Sequence, residues 1–449
     1  MRHALYILLI SSLIFAQSSD AALTIYKDGT ALIKQPVAWS VPSGYSYVTW
    51  GDLPNGMHRD TPFLNIDGAD IISQRFNDNV FSGSDYFNTL KGKEIQVKPK
   101  EGKLVRGTLL EISSGSVTIS HQSGIISFNR SELEYIGNKK ADISQPSFHP
   151  YLSWDIKSKS GKVVEGELVY KTNNFSWNTV YRLKMINEEK GELIAEAVVS
   201  NSSNMDFNNA FLKLVEGNLN KVRTVQPPRP ERMNRAVSMA AKNDGMPMMG
   251  KDELGDYHIY SLNDTHDLGA KENITVRMYG PLDVGYEKKY VFENTERRQK
   301  EEPLEVQLTM ENTESNGLGI SLPGGKVEMY SYKKVNGLEY IGADKMGQVP
   351  KGQSTTLTSG RAFDVTGNRK VLNYDRQRKS EEAVIEIKVS NARNEEVNVL
   401  LVEHINGDWI IKDESLNYQK KDASTVHFPL SLNAGETKSV YYTYRKEWK

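Results

Sequence analysis

The dominant pattern in this chain is an alternation of hydrophobic and polar residues with a period of two. Residues 304–311 read LEVQLTME, and residues 385–389 read IEIKV. This period is typical of β-strands whose side chains point alternately into a core and into solvent, whereas a helix requires a spacing near 3.6. Because the helical spacing is nearly absent, the pattern predicts an all-β fold.

The first predicted elements form part of a β-sandwich at residues 22–87. Residues 25–27 and 31–33 flank the pair Asp28-Gly29, which favours a hairpin turn. Residues 45–50 alternate again and predict the next strand.

Residues 88–138 have a different pattern of shorter strands separated by glycine. Strands are predicted at residues 92–97, 105–112, 116–119 and 124–128. Short strands joined by tight turns are typical of a small closed barrel, in which glycine relieves crowding where strands bend. We therefore predict an SH3-like or Sm-like barrel within a domain at residues 88–140. Its lysines and glutamates alternate without a basic face, which favours a structural or protein-contact role over nucleic-acid binding.

Longer strands from residue 151 onward predict larger sandwiches. We assign residues 147–300 to a central β-sandwich, residues 301–378 to a β-rich continuation and residues 379–449 to a C-terminal immunoglobulin-like sandwich. Trp177 and Tyr181 are predicted to lie in the core of the central sandwich, because large aromatic side chains bury much area there.

One segment of the central sandwich, residues 226–252, has neither period. It contains Pro227-Pro228-Arg229-Pro230 and several methionines, namely Met233, Met239, Met246, Met248 and Met249. This composition is typical of a surface excursion between strands.

The start of the chain predicts export. Arg2 and His3 precede an apolar run at residues 4–16, and Ser19-Asp20-Ala21 provides small residues for a signal peptidase. The run is shorter than the roughly 20 residues that span a bilayer. We therefore predict a signal peptide at residues 1–21, no transmembrane helix after cleavage, and a mature protein in the periplasm or outside the cell.

The amino-acid composition excludes several kinds of partner and of catalytic or metal site. The 56 Lys and Arg residues nearly balance the 57 Asp and Glu residues, so no net field gathers nucleic acid, and we expect no nucleic-acid partner. Cysteine is absent, which excludes disulfides, thiol nucleophiles and thiolate metal sites. An exported chain without disulfides favours a bacterial source.

Three strand motifs occur in the order found in the DUF4139 family. They are Phe175-Ser176-Trp177-Asn178 with Tyr181 and Leu183, Ala197-Val198-Val199-Ser200-Asn201, and Leu212-Lys213-Leu214-Val215-Glu216-Gly217. Later segments match the same pattern at residues 318–327, 340–342, 361–365, 389–392 and 432–436. On these motifs, residues 150–449 resemble the DUF4139 family.

Two features depart from the family pattern. Thr179 stands where the family commonly has proline, and residues 205–207 replace a common Glu-Asp-Trp turn. Mucoidy-inhibitor-like relatives carry a coiled coil where this chain has the predicted barrel. The resemblance implies an exported β-rich protein, and because the family's function is unknown it supplies no catalytic residue.

Methionine and histidine residues suggest one metal-site hypothesis. Met246, Met248 and Met249 precede His258 and His266, and thioether and imidazole groups suit copper(I). Residues 263–267 offer oxygen and nitrogen ligands to a harder ion. Methionine-rich segments also serve as contact surfaces for partners, so no metal ligand is assigned.

Two other motifs match by letters alone. Residues 245–251 have P-loop spacing, but Asp252 replaces the magnesium-binding hydroxyl and no strand and helix flank them. Residues 331–334 match S-x-x-K, yet in a strand Ser331 and Lys334 point to opposite faces. Neither motif predicts a site, and no cofactor is expected.

The modular β architecture predicts a non-catalytic, exported interaction module for envelope proteins or surface polymers. One alternative is an envelope hydrolase or glycan-processing enzyme that uses an interdomain cleft with Asp264, His266 and Asp267. A second alternative is copper or zinc binding through residues 226–252. No catalytic or binding residue is assigned, and the oligomeric state is left open.

Overall fold

The structure, a computed structural model, describes residues 21–78, 80–138, 147–217, 257–333 and 337–448. Residues 1–20 of the predicted signal peptide and the predicted excursion at residues 226–252 lie outside the described residues. The helices within the described ranges are too short or too polar to cross a membrane.

Strands make up most of the described chain, which confirms the all-β prediction. In chain order the strands are β1 (Ala22–Tyr26), β2 (Thr30–Ser40), β3 (Gly44–Trp50), β4 (Phe63–Ile66), β5 (Ala69–Asn77), β6 (Glu94–Pro99), β7 (Val105–Ile112), β8 (Ser116–His121), β9 (Gly124–Asn129), β10 (Leu133–Gly137), β11 (Tyr151–Ser158), β12 (Val163–Asn173), β13 (Phe175–Met185), β14 (Lys190–Asn201), β15 (Phe207–Glu216), β16 (His258–Leu268), β17 (Glu272–Gly285), β18 (Glu287–Thr295), β19 (Lys300–Glu311), β20 (Gly325–Lys333), β21 (Gly337–Met346), β22 (Ser354–Arg376), β23 (Ser380–Asn391), β24 (Val397–His404), β25 (Asp408–Lys412), β26 (Gln419–Lys420), β27 (Thr425–Leu432) and β28 (Thr437–Glu447). The helical elements are α1 (Gly83–Thr89) and two 3₁₀ turns, Arg130–Glu132 and Glu314–Asn316.

The chain divides into two compact units. Of the described residues, one unit contains residues 21–33 and those from 173 to 448, and the other contains those from 34 to 172. The first unit is therefore discontinuous in sequence, with the second inserted into it.

The first unit contains a five-stranded sheet with the order β17-β14-β13-β20-β21. Burial alternates along β13 and β14, so one face of this sheet is buried and the other faces solvent. Trp177 and Tyr181, on the buried side, are 1% and 0% exposed, which confirms their predicted place in the core. The buried face packs against residues of β19 and β22, including Leu308, Met310 and Leu357.

A nine-stranded sheet of the same unit contains the C-terminal strands β23 to β28 together with β18, β19 and β22. Its order is β25-β28-β23-β22-β19-β18-β24-β27-β26. Strands from its two ends share one core, because Tyr442 of β28 and Phe428 of β27 stack at 5.2 Å. β22 spans 23 residues and contributes Leu357 to the core of the five-stranded sheet and Val365 to this core.

A third group of strands in the first unit includes β1 from the start of the chain. β1 pairs in parallel with β15, with Leu23 opposite Leu212, and β15 pairs antiparallel with β16. Leu23 and Ile25 are fully buried, so the unit's core uses residues more than 180 positions apart in sequence.

Three strands of the first unit end at, or are directly followed by, an asparagine whose side chain clamps another strand end. Asn201 closes β14, Asn312 follows β19 and Asn391 closes β23, and all three are buried. Each Nδ2 amide donates to three backbone carbonyls at distances of 2.6 to 3.3 Å. The acceptors are Met205, Leu268 and Gly269 for Asn201, Ile320, Val349 and Pro350 for Asn312, and Glu395, Leu432 and Asn433 for Asn391.

The clamped segments share a second feature. In each clamp the asparagine bonds to the carbonyl of Leu268, Val349 or Leu432, and the residue three positions later has a left-handed backbone conformation. Lys271 occupies this position with φ +57°, Gly352 with φ +81° and Gly435 with φ +70°. The asparagine clamp and its turn therefore form a repeated device within one unit.

The second unit contains the small barrel-like sheet. Its order is β10-β6-β7-β8-β9, so the last of its five strands lies beside the first. Gly107 of β7 permits the close pairing, because a Cβ there would lie 2.5 Å from the backbone oxygen of Ser120. The preceding helix α1, capped by Ser82, adds Tyr86 and Phe87 to the barrel core.

The remaining strands of the second unit form a sheet in the order β3-β11-β5 and an antiparallel pair of β4 with β12. Trp154 of β11 is fully buried, packs at 5.8 Å against Trp39 and donates from Nε1 to Gln74. The buried Tyr170 hydroxyl donates to Oε1 of Gln35 at 2.9 Å.

Candidate functional site

The residues proposed for an enzyme site lie along one strand. Asp264, His266 and Asp267 belong to β16, and Oδ1 of Asp267 accepts a hydrogen bond from the backbone N–H of Asn209 at 2.8 Å. Asp264 and Asp267 are exposed, whereas Nε2 of His266 is enclosed and has no hydrogen-bond partner among the described residues. These three side chains do not come together at one point.

The metal hypothesis gains no ligand group from the described residues. His258 begins β16 and is exposed, and Met246, Met248 and Met249 lie outside the described residues. Within the described ranges, no cluster of three or more His, Asp or Glu side chains has the geometry to hold an ion.

The two letter matches are equally uninformative. Ser331 lies inside β20 opposite Glu339, as expected for a strand residue, and Lys334 lies outside the described residues. The P-loop spacing at residues 245–251 also lies outside them.

A surface that the sequence motifs did not indicate is the outer face of the five-stranded sheet. Here β20 and β21 place Tyr330 opposite Tyr340 and Tyr332 opposite Leu338. Tyr332, Leu338 and Tyr340 are 43%, 56% and 60% exposed. We call these four residues the tyrosine face.

The rings of the tyrosine face are held in place by their neighbours. The Tyr330 and Tyr340 rings meet edge to face at 5.7 Å, and Nζ of Lys184 lies 4.9 Å from the centre of the Tyr332 ring. The Tyr330 hydroxyl donates to Oε2 of Glu328 at 2.9 Å. Such contacts limit rotation of the rings and present an ordered aromatic surface.

A row of ion pairs continues from the tyrosines across the same face. Arg182 lies between Glu196 and Glu328, donating from Nε at 2.9 Å and from Nη1 at 2.8 Å. Nζ of Lys326 donates to Glu328 at 2.8 Å, and Nη2 of Arg277 lies 3.5 Å from Glu196. The charges of the face therefore largely neutralise one another.

Hydrogen bonding in this row shifts its ionisation. Donation from Lys326, and then from Tyr330, lowers the pKa of the Glu328 carboxyl. The same bond raises the pKa of Lys326, and the bond to Glu196 raises the pKa of Arg182. All three groups consequently stay charged over the physiological range.

A pocket of about 940 Å³ adjoins the other end of the same hairpin. Val180, Lys326 and Lys345, which pair across β13, β20 and β21, line its border. Gly325 allows β20 to approach β13 at this point, because a Cβ there would lie 2.3 Å from the backbone oxygen of Thr179.

The pocket wall contains an ion pair that joins distant parts of the first unit. Nζ of Lys27 lies 3.2 Å from Oε2 of Glu216, donates to the Gly324 carbonyl at 3.1 Å and lies 4.0 Å above the Trp177 ring. Gln348 donates to the other Glu216 oxygen at 2.8 Å. Lys27 therefore already contacts a carboxylate, a carbonyl and an aromatic ring. We interpret it as a structural residue of the wall and not as a binding site for a further charge.

Among the described residues, the most deeply buried ionic cluster lies at the core of the nine-stranded sheet. Arg369 and Glu403 are fully enclosed, Nη2 of Arg369 donates to Glu403 at 2.8 Å, and the Tyr442 hydroxyl donates to the same carboxylate. Burial raises the pKa of Tyr442 well above its usual range, with the Glu403 charge adding to the effect. Because Arg369 and Glu403 have no access to solvent, this cluster offers no surface to a ligand.

One pattern in the sequence relates to the tyrosine face, although it does not locate that face on the surface. Tyr330 and Tyr332 alternate with Met329 and Ser331, so the tyrosines share one side of a strand, and Met329 occupies the buried side. Sequence alternation alone did not reveal which side faces solvent, because both sides contain large hydrophobic residues.

The comparisons agree with the motif analysis. A family model described as "Domain of unknown function (DUF4139)" matches residues 167–449, which is more than half of the chain. A search of curated proteins found no match.

Proposed function

Because this chain belongs to the DUF4139 family, whose function is unknown, we propose a function from its own surface. The protein is a non-catalytic interaction module, and its tyrosine face binds an extended partner. The setting that we propose is the periplasm or the cell exterior, in keeping with the signal peptide predicted at residues 1–21.

The observation that carries this proposal is the exposure of ordered aromatic side chains on a flat sheet face. Large side chains that are held rigidly yet exposed lose little entropy on binding, and tyrosine and arginine are enriched at binding interfaces. From Lys326 to Tyr332 the face extends for about 20 Å at the usual rise of a strand. A surface of this length suits a partner that is itself extended, either a polymer chain or a protein segment.

Site-specific photo-cross-linking tests the proposal. A benzophenone amino acid placed at Tyr340 of the full chain is expected to cross-link to envelope material in cells, because Tyr340 is the most exposed ring of the tyrosine face. The matched control is the same amino acid at Ile410, which is 53% exposed on β25 of the nine-stranded sheet. Equal adducts at both positions, or none at Tyr340, would count against the proposal.

The enzyme and metal alternatives stay predictions. Among the described residues, the side chains of Asp264, His266 and Asp267 do not meet at one point, and no cluster of metal-ligating side chains surrounds His258. No observation on the described surface favours either alternative over the tyrosine face.

A further inference from the structure

The ion pairs beside the tyrosine face are asymmetric in their exposure. The basic side chains are the outer members, with Arg182 42%, Arg277 49% and Lys326 56% exposed. Their carboxylate partners Glu196 and Glu328 are only 15% and 18% exposed. A partner lying on this face meets cations first, although the row is close to neutral in sum.

The shape of the face favours a flat, ring-containing chain over a folded protein. Protein partners gain most of their affinity from anchor side chains that enter pockets. The tyrosine face instead lies along an open strand pair, with rings and guanidinium groups arranged in rows. Sugar rings pack flat on exposed aromatic side chains, and their hydroxyls suit the phenol and guanidinium groups between them.

We propose that the tyrosine face, with Arg182, Arg277 and Lys326 beside it, binds an acidic polysaccharide. This inference rests on the proposed function and specifies its partner. Tyr332 and Tyr340 would contact sugar rings, while Arg277 and Lys326 would contact the carboxylates of the chain. Arg182 positions Glu196 and Glu328 beneath these cations and keeps the row ordered.

The first experiment measures binding of the full chain to defined polymers by calorimetry. Polygalacturonate is expected to bind, and its affinity should fall as salt is raised, because screening weakens contacts between exposed charges. Neutral dextran is expected to bind at least about tenfold more weakly. Equal affinity for dextran, or no binding of polygalacturonate, would overturn the inference.

Two further polymers distinguish carbohydrate recognition from charge alone. Polyglutamate carries carboxylates without sugar rings, and a single-stranded oligonucleotide carries phosphates with bases that stack on aromatic side chains. Both are expected to bind more weakly than polygalacturonate. If either binds as tightly and loses affinity in the same variants, the face recognises an acidic peptide or a nucleic acid, and the polysaccharide assignment is wrong.

Variants connect binding to this face. The double variant Arg277→Gln and Lys326→Gln is expected to weaken polygalacturonate binding about fivefold to tenfold and to flatten its salt dependence. Tyr340→Ser is expected to weaken it at low and high salt alike. The matched control is Lys438→Gln, which removes an exposed cation paired with Glu436 at 3.7 Å and should leave binding unchanged.

The two proposals fail separately. Protein adducts at Tyr340 without polygalacturonate binding would refute the polysaccharide inference and retain the interaction module. If the double variant lowers the melting temperature, the test rests on polygalacturonate binding by the single variant Lys326→Gln. The Lys326 side chain is exposed, so its loss should leave the fold intact.

Discussion

Backbone conformation at single residues sets the geometry of the three asparagine clamps. Lys271, Gly352 and Gly435 occupy equivalent left-handed positions, but only Lys271 carries a Cβ. In this region a Cβ crowds the following carbonyl oxygen at a cost of about 1 kcal/mol, and glycine avoids that cost. The clamp at Asn201 is therefore completed with a less suitable residue than the other two.

Substitutions at the left-handed position are expected to have opposite effects on stability in the clamps of Asn201 and Asn391. Lys271→Gly should stabilise the protein by about 0.5 kcal/mol, since relief of the left-handed strain exceeds the added entropy of the unfolded chain. Gly435→Ala should destabilise it by about 1 kcal/mol through backbone strain, because the space around the new Cβ is open. Urea denaturation measures both, and Lys271→Ala, which keeps the Cβ, should be close to neutral.

At the scale of elements, the strands are joined by contacts that the local pattern does not specify. The alternation at residues 385–389 predicts a strand, and the structure has β23 there. It did not predict that Asn391 at the end of β23 would bond to carbonyls at the end of β27. That partner lies 41 residues away, beyond the reach of a periodicity argument.

The clamp at Asn391 should be worth several ordinary hydrogen bonds. Asn391→Ala leaves the carbonyls of Glu395, Leu432 and Asn433 without their donor, so the free energy of unfolding should fall by at least about 2 kcal/mol. Hydrogen exchange should show the loss first at the start of β28. The nearby Asn398→Ala removes an exposed side-chain amide that accepts a hydrogen bond from the Ser431 hydroxyl, and should change stability by less than about 0.5 kcal/mol. Equal effects would mean that the clamp carries no special stability.

At the scale of the molecule, the family match and the structural unit have different limits. The match begins at residue 167, whereas the first unit also contains residues 21–33. β1 fills a place beside β15, and Lys27 pairs with Glu216 at the end of that strand. The matched region is therefore incomplete without the strand from the start of the chain.

A core substitution in β1 tests this dependence. Ile25→Ala should lower the stability of the first unit by about 2–4 kcal/mol, because Ile25 is fully buried. Faster hydrogen exchange at the amides of β15 would show that the loss is felt in the family region. Thr24→Ala, at the adjacent and less buried position, should leave β15 protected. Protection of β15 in both variants would contradict the assignment of β1 to this unit.

The sequence by itself determined the all-β class, the resemblance to the family and the burial of Trp177 and Tyr181, because strand periodicity and ordered motifs are local properties. Only the tertiary structure decided where the tyrosine face lies and which charges surround it. Arg182 and Glu328 meet across 146 positions because β13 and β20 pair in parallel, and Lys27 reaches the Gly324 carbonyl across 297 positions. Such contacts depend on strand order and register, which alternation along a single strand does not encode.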